Sequence, residues 1–134
     1  MAVLLTQLKM LARLQAAAAR ARPLDELTDQ IAVGTLRFGD AVIELADADR
    51  VSDLAILIGG RAGIACDAFM YDLLAPDETP VMKTCRAAWL ELESFSAILR
   101  MRHRRRPFGT ADVGRLLRAY QAMPVPDRPI ADTK

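Results

Sequence analysis

The sequence has few aromatic residues, one histidine, three lysines and two cysteines. Aromatic residues make up 5% of the 134 residues and hydrophobic residues 52%, so the core must be built mainly from Leu, Ile, Val, Ala and Met. Most of these residues favour helices, whereas a β-rich domain needs more aromatic and β-branched residues at alternating positions. The composition therefore predicts an all-α fold, and the length is that of one domain with a substantial core.

The shortage of metal-ligating and nucleophilic side chains argues against catalysis and against a metal site. Cys66 and Cys85 lie far apart in the sequence, and we expect them to be small core side chains in a reducing compartment. His103 is the only histidine and lies among arginines, where no carboxylate or nucleophile would make it a general base. We therefore expect a protein that is not an enzyme and binds no cofactor and no metal.

Three glycines in the segment Gly59–Gly63 resemble a phosphate-binding loop only superficially. No strand precedes them, and the Gly-Lys-Ser/Thr ending of a P-loop is missing. A turn between two helices explains them better, and we predict that the preceding helix ends at Ile58.

No segment is predicted to cross a membrane. The N-terminal apolar stretch is interrupted by Gln7, Lys9 and Arg13, whereas an export signal needs an unbroken apolar run. A cytoplasmic location is therefore expected. Arginine supplies 15 of the 18 basic residues, and with the abundant alanine this bias suggests a bacterial, GC-rich genome.

Hydrophobic spacing and helix-breaking residues divide the chain into about seven or eight helices. Thr79-Pro80 predicts a helix start. The spacing predicts inward-pointing side chains at Val42, Leu45 and Ala46, at Cys66, Phe69, Met70 and Leu73, and at Val113, Leu116, Leu117 and Tyr120. Leu4, Leu8, Leu11 and Leu14 share one face, which predicts an amphipathic N-terminal helix over residues 1–22. A core of helices is expected over 24–106, a last helix over 110–123 and a flexible tail over 124–134. Residues 1–123 then form one domain, packed as helix pairs in a HEAT-like arrangement or as an irregular orthogonal bundle.

An internal similarity supports the arrangement in pairs. The segment from Ala62 through Phe69 to Leu73 aligns with the segment from Ala88 through Phe95 to Leu99 at an offset of 26 residues. Each copy predicts a helix, a tight turn and a second helix with an aromatic residue at the same depth, as in stacked helical repeats.

The stretch from about Leu24 to Arg106 also resembles a bacterial, all-helical family of unknown function, domain-of-unknown-function family 2336. The resemblance lies in the apolar patterns at 56–64 (ILIGGRAGI), at Phe69 with Leu73 and Leu74, at 85–88 (CRAA), and at Phe95 with Ile98 and Leu99. It implies a HEAT-like helical fold and a cytoplasmic bacterial protein, and it implies no activity.

Charge is distributed unevenly although the formal net charge is only +1. Between Asp25 and Asp53 there are eight acidic residues and two arginines, and between Arg100 and Arg118 there are seven arginines and one aspartate. The most basic part is an arginine run whose candidate binding residues are Arg100, Arg102, His103, Arg104, Arg105 and Arg106.

Two functions are compatible with this pattern. The first is a non-catalytic helical domain that binds another protein or a second copy of itself, with the acidic and basic regions pairing across the interface. The second is a nucleic-acid-binding module that neutralises phosphates with the arginine run. The arginines have a structural explanation as well, because cations at a helix C-terminus offset the helix dipole.

Overall fold

A computed structural model describes residues 5–10, 22–105 and 113–125. Every regular element in these residues is an α-helix, as the composition predicts. Residues 5–10 are helical and are labelled α1. The helices that follow are α2 (Leu24–Ala32), α3 (Phe38–Asp47), α4 (Val51–Ala62), α5 (Cys66–Leu74), α6 (Thr79–Ala87), α7 (Leu92–Arg105) and α8 (Val113–Ala122). The remainder of the predicted N-terminal helix, the predicted start of the last helix and the tail beyond Val125 lie outside the described residues.

One hydrophobic core contains residues from every helix from α2 through α8. α3 packs mainly against α7, and α4 packs mainly against α5. The residues predicted to point inward from α3, Val42, Leu45 and Ala46, are completely buried. Cys85 is also buried and Cys66 is partly buried, both as free thiols, and burial raises the pKa of the Cys85 thiol.

A stacked aromatic pair attaches α8 to the rest of the core. The rings of Phe95 and Tyr120 are 4.1 Å apart and nearly parallel, at 10°, and both residues are fully buried. The Tyr120 hydroxyl donates a hydrogen bond of 2.6 Å to the Leu90 carbonyl oxygen. Burial raises the pKa of Tyr120 above its ordinary value.

The two segments that align at an offset of 26 residues contain the same type of turn, which also occurs at Asp49, where φ is 61° and the Arg50 amide donates to the Leu45 carbonyl oxygen at 2.9 Å. Gly63 and its counterpart Trp89 both have left-handed backbone, with φ of 75° and 61°. In each turn the next amide donates to a carbonyl five residues earlier, Ile64 to Gly59 at 2.8 Å and Leu90 to Cys85 at 3.0 Å. These bonds are those of a Schellman helix end. The packing is not repeated, because α5 lies mainly on α4 whereas α7 lies mainly on α3.

The predicted helix end at Ile58 is wrong, because α4 continues through Gly59 and Gly60 to Ala62. Gly59 has a packing role, since a Cβ atom there would lie 2.9 Å from the Ile64 carbonyl oxygen. Two positions predicted to point inward are also exposed, Met70 at 37% and Val113 at 43%.

Substitutions at two glycines of this region should have opposite effects. Gly63→Ala is expected to lower the free energy of unfolding by about 1–2 kcal/mol, because a Cβ atom disfavours left-handed backbone. Gly60→Ala should raise it by about 0.5–1 kcal/mol, because alanine favours a helix interior and the added Cβ would meet no atom within 4 Å beyond its own stretch of helix backbone. Urea denaturation of both variants measures this difference, and equal effects would contradict the assigned turn.

Candidate interaction groove and the arginine run

Arg102 caps the C-terminal end of α5. Its guanidinium donates hydrogen bonds to the carbonyl oxygens of Asp72 at 2.9 Å, Leu73 at 2.8 Å and Ala75 at 2.9 Å. The last carbonyls of a helix have no partner within the helix, so this cation satisfies the carbonyls of Leu73 and Ala75 and shares that of Asp72 with the Ala75 amide. Its charge also opposes the negative end of the helix dipole.

Arg104 has a similar role at the end of α3. One of its terminal nitrogens donates a hydrogen bond of 2.6 Å to the Ala46 carbonyl oxygen. Arg102 and Arg104 are both partly buried, and together they fix α7 to the C-terminal ends of two other helices.

The other two arginines of α7 pair with the acidic region of the same chain. Arg105 makes two bonds of 2.9 Å to the Asp49 carboxylate, and Arg100 lies 3.4 Å from the Asp47 carboxylate. The acidic and basic regions predicted from the sequence therefore meet within one molecule at these two pairs. Pairing across subunits stays a prediction for their remaining charges.

Four of the six residues in the predicted binding patch thus bond within the chain. His103 is exposed, and Arg106 lies outside the described residues. The sequence did not indicate the partners of Arg102 and Arg104, since backbone carbonyls at helix ends have no residue-specific signature.

Two adjoining cavities form a surface feature beside these arginines. Their volumes are about 310 Å³ and about 400 Å³, and both are lined by Leu74 and Arg105. We call the combined feature the α5 groove. Its lining residues are Asp49, Arg50, Val51, Ser52, Asp53, Met70, Leu73, Leu74, Ala75, Pro76, Glu78, Leu99, Arg102, His103, Arg105, Val113 and Leu116.

The α5 groove is apolar where α5 and α8 line it. Met70 and Leu74 are each 37% exposed, and Val113 is 43% exposed. Met70 and Leu74 are four residues apart and so share one face of α5, beside the inward positions Phe69 and Leu73. α5 therefore carries two neighbouring apolar stripes, of which one enters the core and the other is available to a ligand. The second stripe, Met70 and Leu74, is the feature of the sequence from which the groove could have been predicted.

The charged residues of the groove are largely neutralised by one another. Asp49 pairs with Arg105, and Asp53 pairs with Arg50 across one helical turn. Arg102 donates to backbone carbonyls. A ligand would consequently meet an apolar surface with a rim of paired charges.

The chain that precedes α2 is attached at this rim. Arg50, which lines the groove, donates a hydrogen bond to the Arg22 carbonyl oxygen. The Arg22 guanidinium in turn binds the Glu44 carboxylate, at 2.7 Å for the closer oxygen. Arg22 therefore fixes the point from which residues 1–21 extend.

The hydrogen bond from Arg22 lowers the pKa of the Glu44 carboxyl below its ordinary value. We expect NMR titration to show this lowered pKa, and Arg22→Gln to raise it towards the ordinary range. Because the pKa is lowered on folding, the pair stabilises the fold above the pKa of Glu44 in the unfolded chain. This stabilisation is lost as the pH falls through the lowered value. A Glu44 pKa that is the same in both proteins would contradict the pair.

The described residues contain no group of three or more histidine, cysteine, aspartate or glutamate side chains placed to hold a metal ion. None of the helices in the described part of the chain is long and apolar enough to cross a bilayer. Comparison with protein-family models, curated protein sequences and solved structures finds no match for this chain. The resemblance to domain-of-unknown-function family 2336 therefore stays a prediction.

Proposed function

We propose that this chain is a non-catalytic protein-interaction domain and that its α5 groove binds an amphipathic helix. The observation that carries the proposal is the exposed apolar stripe of Met70 and Leu74 inside a concave surface. Grooves of this kind bind helices through apolar side chains spaced by three or four residues. The paired charges at the rim favour an apolar ligand over a charged one.

The nucleic-acid-binding alternative has less support from the contacts of the arginine run. Arg102 and Arg104 already donate to carbonyl oxygens, and Arg100 and Arg105 lie against carboxylates. Each would have to leave an internal acceptor, or share it, to bind a phosphate. The test is fluorescence anisotropy of a labelled duplex at several salt concentrations. A Kd at or below about 10⁻⁶ M near physiological salt, with affinity falling steeply as salt rises, would favour this alternative.

The proposed function can be tested with peptides. A display library of amphipathic helical peptides is selected on the full chain, and the enriched peptides are titrated against three proteins by fluorescence anisotropy. These are the native chain, Met70→Glu and the control Val33→Glu, whose position is 73% exposed and does not line the groove.

We expect Met70→Glu to weaken peptide binding by about tenfold or more, because it places a charge on the apolar stripe. Val33→Glu should leave the affinity unchanged. The proposal is wrong if the enriched peptides bind Met70→Glu as tightly as the native chain. It is also wrong if no peptide is enriched and the native chain shows no self-association that Met70→Glu weakens.

A further inference from the structure

The sequence predicts a second apolar surface besides the α5 groove. Leu4, Leu8, Leu11 and Leu14 share one face of the predicted N-terminal helix, and we call this set the N-terminal apolar face. In the described part of this segment, Leu5 is 55% exposed, Leu8 54% and Met10 49%. Large apolar side chains at this spacing are expected to be covered in the functional state.

The C-terminal end of the N-terminal segment joins the rest of the chain at the rim of the groove. Arg22 is bound by Arg50 and Glu44, and Arg50 is itself a lining residue. The covalent connection to residues 1–21 is therefore made beside the groove.

We propose that the N-terminal apolar face of one chain docks in the α5 groove of a second copy of this chain. The proposal rests on the proposed function and names the helix that the groove binds. A second copy is favoured over the same chain because Leu5 and Leu8 remain about half exposed within the single molecule. The segment also suits the groove because Lys9 and Arg13 are its only charged residues before position 20, and the groove is apolar with Asp49 and Asp53 at its rim already paired.

Reciprocal docking would give a symmetric dimer with two identical contacts. Each chain would provide one N-terminal apolar face and one groove, so that both exposed surfaces of both chains are buried together. This arrangement is closed and leaves no free groove from which a third copy could extend the assembly.

Sedimentation velocity of the full chain tests the dimer. We expect the native chain to form dimers within a concentration range that extends to about 100 µM. Leu8→Glu and Met70→Glu should each raise the dimer Kd by about tenfold or more. The control Val33→Glu should sediment as the native chain does. Circular dichroism checks that both variants stay folded, and their exposed positions make this the expected result.

Mixing the two variants tests whether the two surfaces contact each other. The Leu8→Glu chain keeps an intact groove and the Met70→Glu chain keeps an intact N-terminal apolar face. A heterodimer of the two therefore retains one unaltered contact, whereas a homodimer of either variant retains none. We expect the mixture to form dimers more tightly than either variant alone.

The proposal is overturned if the native chain is a monomer throughout this range, or if Met70→Glu leaves the dimer intact. It is also overturned if mixing gives no heterodimer, because the N-terminal face would then contact a surface other than the groove. These outcomes are distinct from failure of the proposed function. A monomeric chain that still binds selected peptides through Met70 retains the proposed function and loses only this occupant.

Discussion

Phe95→Ala is expected to lower the free energy of unfolding by about 3–5 kcal/mol, the range measured when a buried phenylalanine is truncated. Phe95 is completely buried, and its ring stacks on Tyr120 at 4.1 Å. Truncation would leave a cavity beneath α8 and remove one partner of the stack, which adds to the loss of apolar burial. A domain is typically stable by only about 5–15 kcal/mol, so this variant should be close to unfolding at physiological temperature.

Tyr71→Ala is the matched control for the loss of an aromatic ring. Tyr71 is 74% exposed, so its truncation should change the free energy of unfolding by no more than about 0.5 kcal/mol. Urea denaturation followed by circular dichroism compares the two variants with the native chain. Similar destabilisation by both would mean that Phe95 is not at the centre of the core.

Local signals predicted most of the helices. Thr79-Pro80 marks the start of α6, where Thr79 is the first helical residue and Pro80 lies in the first turn. The apolar spacing of Val42, Leu45 and Ala46 identified the buried face of α3. Such features depend on residues close together in the chain, so one sequence is enough to read them.

The errors arose where tertiary contacts override local preference. Glycine disfavours a helix interior, yet Gly59 lies inside α4 because the chain after the turn passes too close for a side chain. Trp89 has left-handed backbone that bulky residues seldom adopt, and only its alignment with Gly63 at an offset of 26 hinted at this. The contact of α7 with α3 joins segments about fifty residues apart, and no local pattern encodes such a pairing.

The groove could be predicted only in part. The apolar character of Met70 and Leu74 is plain in the sequence, but Met70 was assigned to the core because both apolar stripes of α5 fit a helical period. Only the packing of α5 on α4 decides which stripe is buried. The arginine run was recognised, whereas its partners were not, since they are backbone groups of α3 and α5 and carboxylates from the region of Asp47.

The contacts of Arg102 lead to the second large effect, a loss of about 2–3 kcal/mol of folding free energy in Arg102→Ala. The change removes a cation from three carbonyl oxygens at the end of α5, and hydrogen bonds to a charged group are worth about 1.5–3 kcal/mol. It also removes the aliphatic stem, which lines the groove. Urea denaturation at neutral pH gives the free energy of unfolding.

Arg100→Ala is the appropriate control for Arg102→Ala because it removes the same charge from the same helix. Arg100 is 54% exposed, and its ion pair with Asp47 is long, at 3.4 Å, so the expected loss is no more than about 0.5 kcal/mol. Equal effects at the two positions would refute the capping role of Arg102. If Arg102→Ala left stability unchanged but weakened duplex binding, the arginine would be a phosphate contact. A large loss of stability at Arg102 alone would instead assign this part of the run to holding α5 and α7 together, and with them the walls of the groove.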